Sequence, residues 1–261
     1  MANSPSGESV LRRFVRIISA FDSTHTSMSV ASVVRRSRLP VTTVYRLVDE
    51  LLAERLLERD GNGNVRIGIR LWELASRSSP MLGLRESALP FMEDVQSVIQ
   101  HHTTLGILDG SDVLYVERLN SASSAVDITT TAGRLPIHAT SSGLVLLAHS
   151  TPAYQELVLS RSLTAYTDAT VTDPRRLRLL LADVRREGFS AVPGIIVRES
   201  TGIAVPIFGP GNLVVAALSV IVPRSEENSP AWIPVLRSAA RGISRALGWK
   251  GVDRGDTRRL I

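Results

Sequence analysis

The sequence contains no cysteine and only one lysine, Lys250. Without cysteine, disulfide bonds, thiolate metal sites and a cysteine nucleophile are all excluded. The phosphate-binding loop of nucleotide hydrolases needs a lysine inside a glycine-rich motif, and Lys250 is not in one, so nucleotide hydrolysis is excluded as well. Long hydrophobic runs are also missing. The longest, residues 213–222, is about half the length of a bilayer-spanning helix, and we expect a buried strand there.

Other enzymatic signatures are missing too. No serine lies in a nucleophile-elbow pattern, and the five histidines show no metal-ligand spacing. The stretch "GPGN" at Gly209 lacks the rest of a dinucleotide-binding fingerprint. The first residues contain no signal-peptide core. We therefore expect a cytoplasmic protein that is not an enzyme, holds no cofactor or metal and does not contact a membrane.

Positive charge is concentrated at the N-terminus. Residues 1–78 contain 12 arginines and 8 acidic residues, a net charge of +4, whereas residues 79–250 contain 15 basic and 15 acidic residues. A preference for arginine over lysine is ordinary in GC-rich genomes, so the location of the charge is the informative feature. A basic segment of this size indicates an anionic partner such as nucleic acid.

The 261 residues are enough for two domains. Three short amphipathic helices are predicted first: one over residues 10–21 with Ser9 as its N-cap, one beginning after Ser29, and one after the break at Pro40. Two extended runs on either side of "GNGN" then predict a β-hairpin. This order predicts an α+β chain that begins with a winged helix-turn-helix over residues 9–68, followed by a linker helix over 69–80.

Residues 81–250 predict a second domain in which a mixed sheet is flanked by helices. A long helix over 85–100 comes first, and strands are expected at 103–108, 113–119 and 125–131. Helices are expected at 144–149, 152–160, 173–187 and 231–247, with paired strands at 203–208 and 214–222. Residues 251–261 are expected to form a flexible tail.

The third helix carries the candidate chemistry. If Val44, Leu47, Val48 and Leu51 pack inward, the residues near its N-terminus face outward with hydroxyls, a phenol and a guanidinium. Such groups bind phosphate oxygens and base edges, and the helix N-terminus favours a phosphate. The predicted DNA-binding residues precede the helix, lie on it, or lie on the hairpin: Arg35, Arg36, Arg38, Val41, Thr42, Thr43, Tyr45, Arg46, Arg59 and Arg66.

Several motifs, in order and over about residues 9–248, resemble the IclR family of bacterial transcriptional regulators. They are "SVLRRFVRIISAF", "LPVTTVYRLVDELLAERLLERD", "RIGIRLWELA", "GRLPIHATSSGLVLLA", "GFSA" and "IAVPIFGPGNLVVAALSV". The resemblance implies an N-terminal winged helix-turn-helix, a connecting helix used in dimerisation, and a C-terminal GAF-like α/β domain that binds a small effector. It also implies a homodimer or a dimer of dimers, bound to double-stranded operator DNA and controlled by a small organic acid.

The loop over residues 133–143 is dense in small and hydroxyl residues and leads into a helix. Backbone N–H groups at a helix start, with hydroxyls nearby, suit a carboxylate, although simple N-capping accounts for the same residues. The resemblance places this loop at the effector pocket and adds a serine on a later strand. The predicted effector-binding residues are Gly133, Arg134, Leu135, His138, Ala139, Thr140, Ser141, Ser142 and Ser219.

Three positions depart from the family pattern towards apolar or absent side chains. Val192 with the following Pro-Gly stands where many members carry acidic residues, Ile221 follows Ser219 by two positions, and Gly202 has no side chain. We therefore expect a larger, more apolar or aromatic effector than the very small keto acids.

Two other classes of protein remain open. One is a metabolic enzyme with a GAF-like regulatory domain, which turnover of a candidate metabolite would support. The other is a protein that binds nucleic acid without sequence preference, which a footprint on one discrete site would exclude.

Overall fold

The computed structural model describes residues 7–251, apart from Ser23, Ser78 and residues 121–132. Internal contacts divide the chain into two compact units on either side of the Pro80–Met81 bond. The predicted strand at 125–131 and the predicted tail beyond Gly251 lie outside the described residues. Within the described ranges, no helix is long and apolar enough to cross a membrane.

In the first unit, the described residues form four helices and three short strands. In chain order they are α1 (Val10–Ile18), β1 (Ser27–Met28), α2 (Val30–Ser37), α3 (Val41–Ala53), β2 (Leu57–Arg59), β3 (Val65–Ile67) and α4 (Ile69–Ser76). Both predicted serine caps are confirmed: Ser9 Oγ accepts the Arg12 N–H at 3.2 Å and Ser29 Oγ accepts the Ser32 N–H at 3.3 Å. Each such cap stabilises its helix by about 1 kcal/mol.

The hairpin belongs to a three-stranded antiparallel sheet in the order β1-β3-β2. Strand β1 was not predicted; it pairs Met28 with Val65, and both side chains are buried. The turn between β2 and β3 is held by Asp60, which accepts the N–H groups of Asn62 and Asn64 and the hydroxyl of Ser27. The Ser27 hydroxyl is the main reason that the pKa of Asp60 is lowered. The wing is therefore tied to the segment that precedes α2.

The described residues of the second unit form a six-stranded sheet and five α-helices. They are α5 (Pro80–Ile99), β4 (His102–Asp109), β5 (Asp112–Leu119), β6 (Arg134–Pro136), α6 (Ser141–Ala148), α7 (Pro152–Leu159), α8 (Pro174–Glu187), β7 (Ser190–Pro193), β8 (Ser200–Phe208), β9 (Val214–Pro223) and α9 (Ser229–Ala246). The strand order is β6-β5-β4-β9-β8-β7. The prediction that this sheet is mixed is wrong, because every pairing among the described strands is antiparallel.

Helices cover both faces of this sheet. One apolar cluster joins α5 and α9 to one face, and a second joins α6, α7 and α8 to the other. All eight residues of α6 are buried, which requires small residues beneath it. A Cβ on Gly106 would lie 3.5 Å from the Ser142 side chain, and one on Gly202 would lie 2.7 Å from Ser141 Oγ. The start of α6 therefore lies almost directly on the backbone of β4 and β8.

Candidate functional sites

The two sides of α3 differ as its sequence predicts. Val44, Leu47, Val48 and Leu51 are buried. On the other side, Thr42 is exposed, Thr43 is half-buried, and Val41 and Tyr45 are exposed by 57% and 48%. The N-cap residue Pro40 supplies no side-chain hydrogen bond to the first turn. This helix therefore presents hydroxyls and uncapped N–H groups on one open face, where a phosphate can be bound.

The arginines near α3 fall into two groups. Arg46 lies on the open face, ion-paired with Glu50 one turn along, and Arg35 is exposed with one bond to Ser32 Oγ at 2.7 Å. Arg38 ends α2 in the left-handed conformation and is also exposed. Arg36 differs, because its guanidinium donates to the Ala20 carbonyl at 2.6 Å and to the Asp22 carboxylate.

Asp22, the carboxylate partner of Arg36, is fixed by several hydrogen bonds. Hydrogen bonds from the Thr24 hydroxyl and then from His25 place the pKa of Asp22 well below its usual range. The Asp22 carboxylate is therefore ionised at any pH of interest and keeps Arg36 engaged at the end of α1. Although the sequence groups Arg36 with its neighbours as a DNA contact, the structure makes it the weakest candidate of that group.

The two wing arginines point to opposite faces of their ribbon. Arg59 pairs with Val65, whose side chain faces the core, whereas Arg66 is next in sequence and pairs with Glu58. Arg66 also forms an ion pair with Glu58 at 3.3 Å. The other oxygen of Glu58 accepts the Ile69 N–H, which is the main reason that the pKa of Glu58 is lowered. Arg59 is exposed and donates to the Gly63 carbonyl at 2.9 Å, but it has no ion-pair partner among the described residues. Its charge is therefore less neutralised than that of Arg66 and is the more available of the two to a DNA backbone.

A small cavity lies between the start of α6 and the sheet. Its volume is about 20 Å³, which is room for about one water molecule. The lining residues are hydroxyl-bearing or apolar: Tyr115, Leu135, Ala139, Thr140, Ser141, Val192, Ile195, Ile196, Ser200, Gly202, Ser219 and Ile221. None of these side chains carries a charge at neutral pH. The cavity is therefore an apolar site with polar atoms at a few fixed positions.

A chain of buried hydroxyls lies along one wall of this cavity. Ser219 Oγ accepts a hydrogen bond from Ser142 Oγ at 2.8 Å and lies 2.6 Å from Thr104 Oγ1. Tyr115 is 2% exposed and is hydrogen-bonded to Ser142 and Thr140; burial nevertheless raises its pKa to about 12. Its phenol is therefore protonated at neutral pH.

The predicted effector residues divide between the cavity and its surroundings. Five of them line the cavity: Leu135, Ala139, Thr140, Ser141 and Ser219. The three positions that depart from the family pattern, Val192, Gly202 and Ile221, line it as well. The other four predicted residues lie outside the lining: Gly133, Arg134, His138 and Ser142.

Each of those four has another contact. The Gly133 carbonyl accepts the Tyr115 N–H at 3.0 Å. The Ser142 hydroxyl does not line the cavity but donates to Ser219 Oγ, which does. Arg134 is exposed and paired with Asp109 on β4, so the positive charge expected in the pocket is absent from it. His138 is buried against the Thr164 carbonyl at 3.0 Å, the packed and hydrogen-bonded role that its ambiguous sequence context allows.

Comparison with known proteins identifies the chain. The helix-turn-helix domain model of IclR matches residues 10–61, and the model of the C-terminal domain of bacterial IclR transcriptional regulators matches residues 78–245. The chain belongs to the IclR family. The expected winged helix-turn-helix and the C-terminal α/β domain of the IclR family are both confirmed.

Several IclR-family relatives extend over nearly the whole chain. An IclR homologue from Microbacterium hydrocarbonoxydans, crystallised with 4-hydroxybenzoate, is 46% identical with a TM-score of 0.86, over 92% of this chain and 99% of that one. The regulator RhmR of Escherichia coli is 30% identical over 85% of this chain and 87% of its own length. The Pca regulon regulatory protein of Pseudomonas putida is 28% identical over 91% and 83%. These relatives are named as transcriptional regulators or IclR homologues, and none as an enzyme.

Four lining residues of this IclR-family cavity were missed from the sequence. Tyr115 lies on β5, where alternation with its partly buried neighbours marks it only as a core residue. Ile195 and Ile196 lie in the connection between β7 and β8, and Ser200 begins β8. Nothing local in the sequence distinguishes these residues, because the cavity forms only when three distant segments meet at the start of α6.

Proposed function

We propose that this chain is a dimeric transcriptional regulator that binds operator DNA through α3 and the wing, and that an aromatic acid in the α6 cavity controls its affinity for DNA. The observation that carries the proposal is a combination. One unit has an open, basic, hydroxyl-rich helix face, and the other has an enclosed apolar cavity with a protonated phenol. The first feature suits a duplex groove and the second a small organic ligand.

The DNA contact rests on α3. Its exposed N-terminal half is the part that enters a major groove in helix-turn-helix proteins, where an arginine recognises guanine and hydroxyls bind phosphates. Thr42, Thr43 and Tyr45 provide such hydroxyls, and Arg46 provides the guanidinium. Arg35, Arg38 and Arg59 then supply the sequence-independent charge.

The dimer is supported by exposed apolar side chains on α1 and α4. Leu11 and Val15 of α1 are exposed by 75% and 56%, and Ile69 and Trp72 of α4 by 62% and 65%. Monomeric proteins rarely leave such large side chains uncovered on two helices of a small unit. A second copy of the chain would cover them and place two copies of α3 in successive major grooves of a near-palindromic site.

The choice of an aromatic acid follows from the lining. Leu135, Ile195, Ile196 and Ile221 suit a flat apolar ring, while hydroxyls and the N-terminus of α6 suit a carboxylate and a phenol. A bound keto acid of two or three carbons would leave most of the apolar wall without contact. The relative crystallised with 4-hydroxybenzoate supports this size and chemistry.

The volume of the cavity indicates how ligand and DNA affinity are coupled. A space of about 20 Å³ is smaller than a benzene ring, so an aromatic acid enters only if side chains move. Ile195 and Ile196 belong to a connection between strands, which is displaced more easily than the sheet. A ligand that favours the opened arrangement shifts the population of conformations, and by linkage DNA and ligand affect each other's affinity by the same factor.

The test is fluorescence anisotropy on the intact protein, with labelled DNA from the region upstream of its own gene, at several concentrations of 4-hydroxybenzoate. We expect a saturable change in the Kd for DNA of about fivefold or more, the usual scale of such couplings. Pyruvate should have no effect.

Tyr115→Phe is the matched variant, since it removes one phenol oxygen and keeps the ring. It should raise the Kd for 4-hydroxybenzoate about fivefold, the effect of one hydrogen bond of about 1 kcal/mol. Tyr154→Phe is the control, because the Tyr154 hydroxyl bonds the Gly110 carbonyl away from the cavity lining. A response to pyruvate alone would reject the aromatic-acid assignment, and binding to random DNA as tight as to upstream DNA would reject the regulator.

A further inference from the structure

A second cavity of about 370 Å³ lies at the edge of the same sheet, where α8 and α9 approach β8. It shares no lining residue with the α6 cavity. Strand β7 pairs only with Thr201–Ala204, so β8 continues past it to Phe208 without a neighbour on that side among the described strands. The second cavity occupies the space beyond this free edge, and the regulatory function proposed above assigns it no role.

The free edge is closed to another strand. Pro206 lacks an N–H group, and the Phe208 N–H already donates to Ser244 Oγ at 2.9 Å. An added peptide strand would therefore find few backbone partners. A compact ligand fits this space better than an extended peptide.

Three guanidinium groups converge on the cavity from two helices. Arg185 lies in the last turn of α8, and Arg237 and Arg241 lie one turn apart on α9. No aspartate or glutamate lines the cavity. Arg237 donates to the Glu187 carbonyl and lies 5.3 Å from the centroid of the Phe189 ring. Three like charges with no carboxylate among them produce a strongly positive local potential.

Carboxylates are available near the end of α8, because the neighbouring Arg186 is neutralised by two of them. Arg186 pairs with Asp183 at 2.7 Å and with Glu187 at 3.2 Å. By contrast, Arg185 and Arg241 have no hydrogen-bond or ion-pair partner within the described part of the chain. The nearby charge of Arg185 contributes to the lowered pKa of His149, although burial of the imidazole is the larger cause. The Arg185 charge is therefore directed into the cavity region and is not neutralised there.

Aromatic rings form another wall. Phe208 stacks on Trp249 with ring centroids 5.3 Å apart, and His149 meets Phe208 edge-on at 6.1 Å. The Trp249 Nε1–H donates to Asn212 Oδ1 at 2.6 Å, which fixes the indole. The cavity therefore combines a cationic side with a flat apolar side, as sites for anionic metabolites do.

We propose that this cavity binds a small multivalent anion, a phosphate ester or a di- or tricarboxylate, with its charged groups at Arg185, Arg237 and Arg241. Guanidinium groups match both phosphate and carboxylate oxygens through paired N–H donors. A monovalent aromatic acid cannot neutralise three guanidinium groups, so the ligand of this cavity differs in class from that of the α6 cavity. The chain would then sense two chemically distinct signals.

The test is isothermal titration calorimetry on the full chain at low ionic strength with pyrophosphate, citrate and, as a monovalent control, benzoate. We expect pyrophosphate or citrate to bind with one site per chain, and benzoate not to compete with either. Binding of pyrophosphate alone would indicate a phosphoryl ligand and binding of citrate alone a carboxylate; either result supports the site. No saturable binding of either anion would overturn it.

The double substitution Arg185→Gln with Arg241→Gln should weaken anion binding at least tenfold. Both side chains are exposed, so the fold should persist, which circular dichroism verifies. Arg186→Gln in the same helical turn and Arg46→Ala on α3 are the controls and should leave binding unchanged. Quenching of tryptophan fluorescence that disappears in Trp249→Phe gives an independent reading. Equal weakening by Arg186→Gln or Arg46→Ala would show that the anion responds only to overall charge, and would overturn the proposal.

Discussion

Arg46 is held by its own helix but not tightly. Its ion pair with Glu50 joins two side chains that are each 54% exposed. Exposed ion pairs contribute only about 0–1 kcal/mol to stability, so freeing the guanidinium from Glu50 for the proposed contact with a base would cost little. Arg36 lies close in sequence, yet its bonds to the Ala20 carbonyl and Asp22 join two helices, and releasing it would loosen the unit.

We predict that Arg46→Ala lowers discrimination between operator and random DNA by about 1–3 kcal/mol, or roughly 5-fold to 150-fold. The reason is that a bidentate arginine contact recognises a base, whereas phosphate contacts do not. Anisotropy titrations with both DNAs measure the ratio. Glu50→Ala is the matched control: it breaks the same ion pair but keeps the guanidinium, so discrimination should persist. Equal losses on both DNAs for Arg46→Ala would mean that this side chain contacts only phosphate.

The local periodicity of the sequence predicts which way a side chain points, but not which distant residue it contacts. The spacing of Val44, Leu47 and Leu51 correctly predicts which side of α3 is buried. Nothing local reveals that Thr104 and Ser219 bond each other, because they are 115 positions apart and meet only when β4 and β9 pair. For the same reason, sequence alone could not show that Arg134 turns to Asp109 and away from the cavity.

Among the elements, α6 depends most on a close fit. Its second turn packs on apolar residues, while its first turn lies where a side chain in place of glycine would collide with backbone. A Cβ on Gly143 would lie 2.1 Å from the Ile137 carbonyl oxygen, which belongs to the short helical turn before α6. The Gly143 N–H also donates to Thr140 Oγ1 at 3.0 Å, and Thr140 and Ser141 line the cavity.

We predict that Gly143→Ala destabilises the second unit by about 1–3 kcal/mol, as overpacking against backbone does, and weakens binding of 4-hydroxybenzoate. Gly83→Ala is the control, because Gly83 lies in α5 with open space around it. It should instead raise stability by up to about 1 kcal/mol through helix propensity. Urea unfolding followed by tryptophan fluorescence measures both. A Gly143→Ala protein as stable as the parent would show that the turn before α6 shifts freely.

Element boundaries were predicted well where amphipathic periodicity exists and poorly where it does not. Helix α6 was expected to begin at Leu144 but begins at Ser141, because its first residues are polar yet fully buried. Strand β1 has two residues, too few to show alternation, and β7 has four. These strands exist because a neighbouring strand offers backbone partners, which is a property of the whole sheet.

On the scale of the whole molecule, charge and apolar surface are distributed unequally between the two units. The net +4 of residues 1–78 and the balanced charge of residues 79–250 match a division between DNA binding and ligand binding. The N-terminal charge attracts any duplex, and its effect decreases with salt. Selection of one site by this charge alone is weak, so the proposed specificity rests on two copies of α3 held at a fixed spacing by the proposed dimer.

We predict that Trp72→Ser disrupts the proposed dimer, because the indole is 65% exposed on α4 and would be buried against the second copy. Loss of a large aromatic at an interface costs about 2 kcal/mol or more, which raises the dimer Kd roughly thirtyfold. Sedimentation velocity should show a shift from dimer to monomer at micromolar concentration, with a parallel loss of operator affinity. Leu179→Ser on α8, where the side chain is 69% exposed, is the control and should leave both unchanged. If Trp72→Ser kept the dimer mass but lost DNA binding, α4 would act on the position of α3 within one subunit, and the dimer contact would have to lie elsewhere.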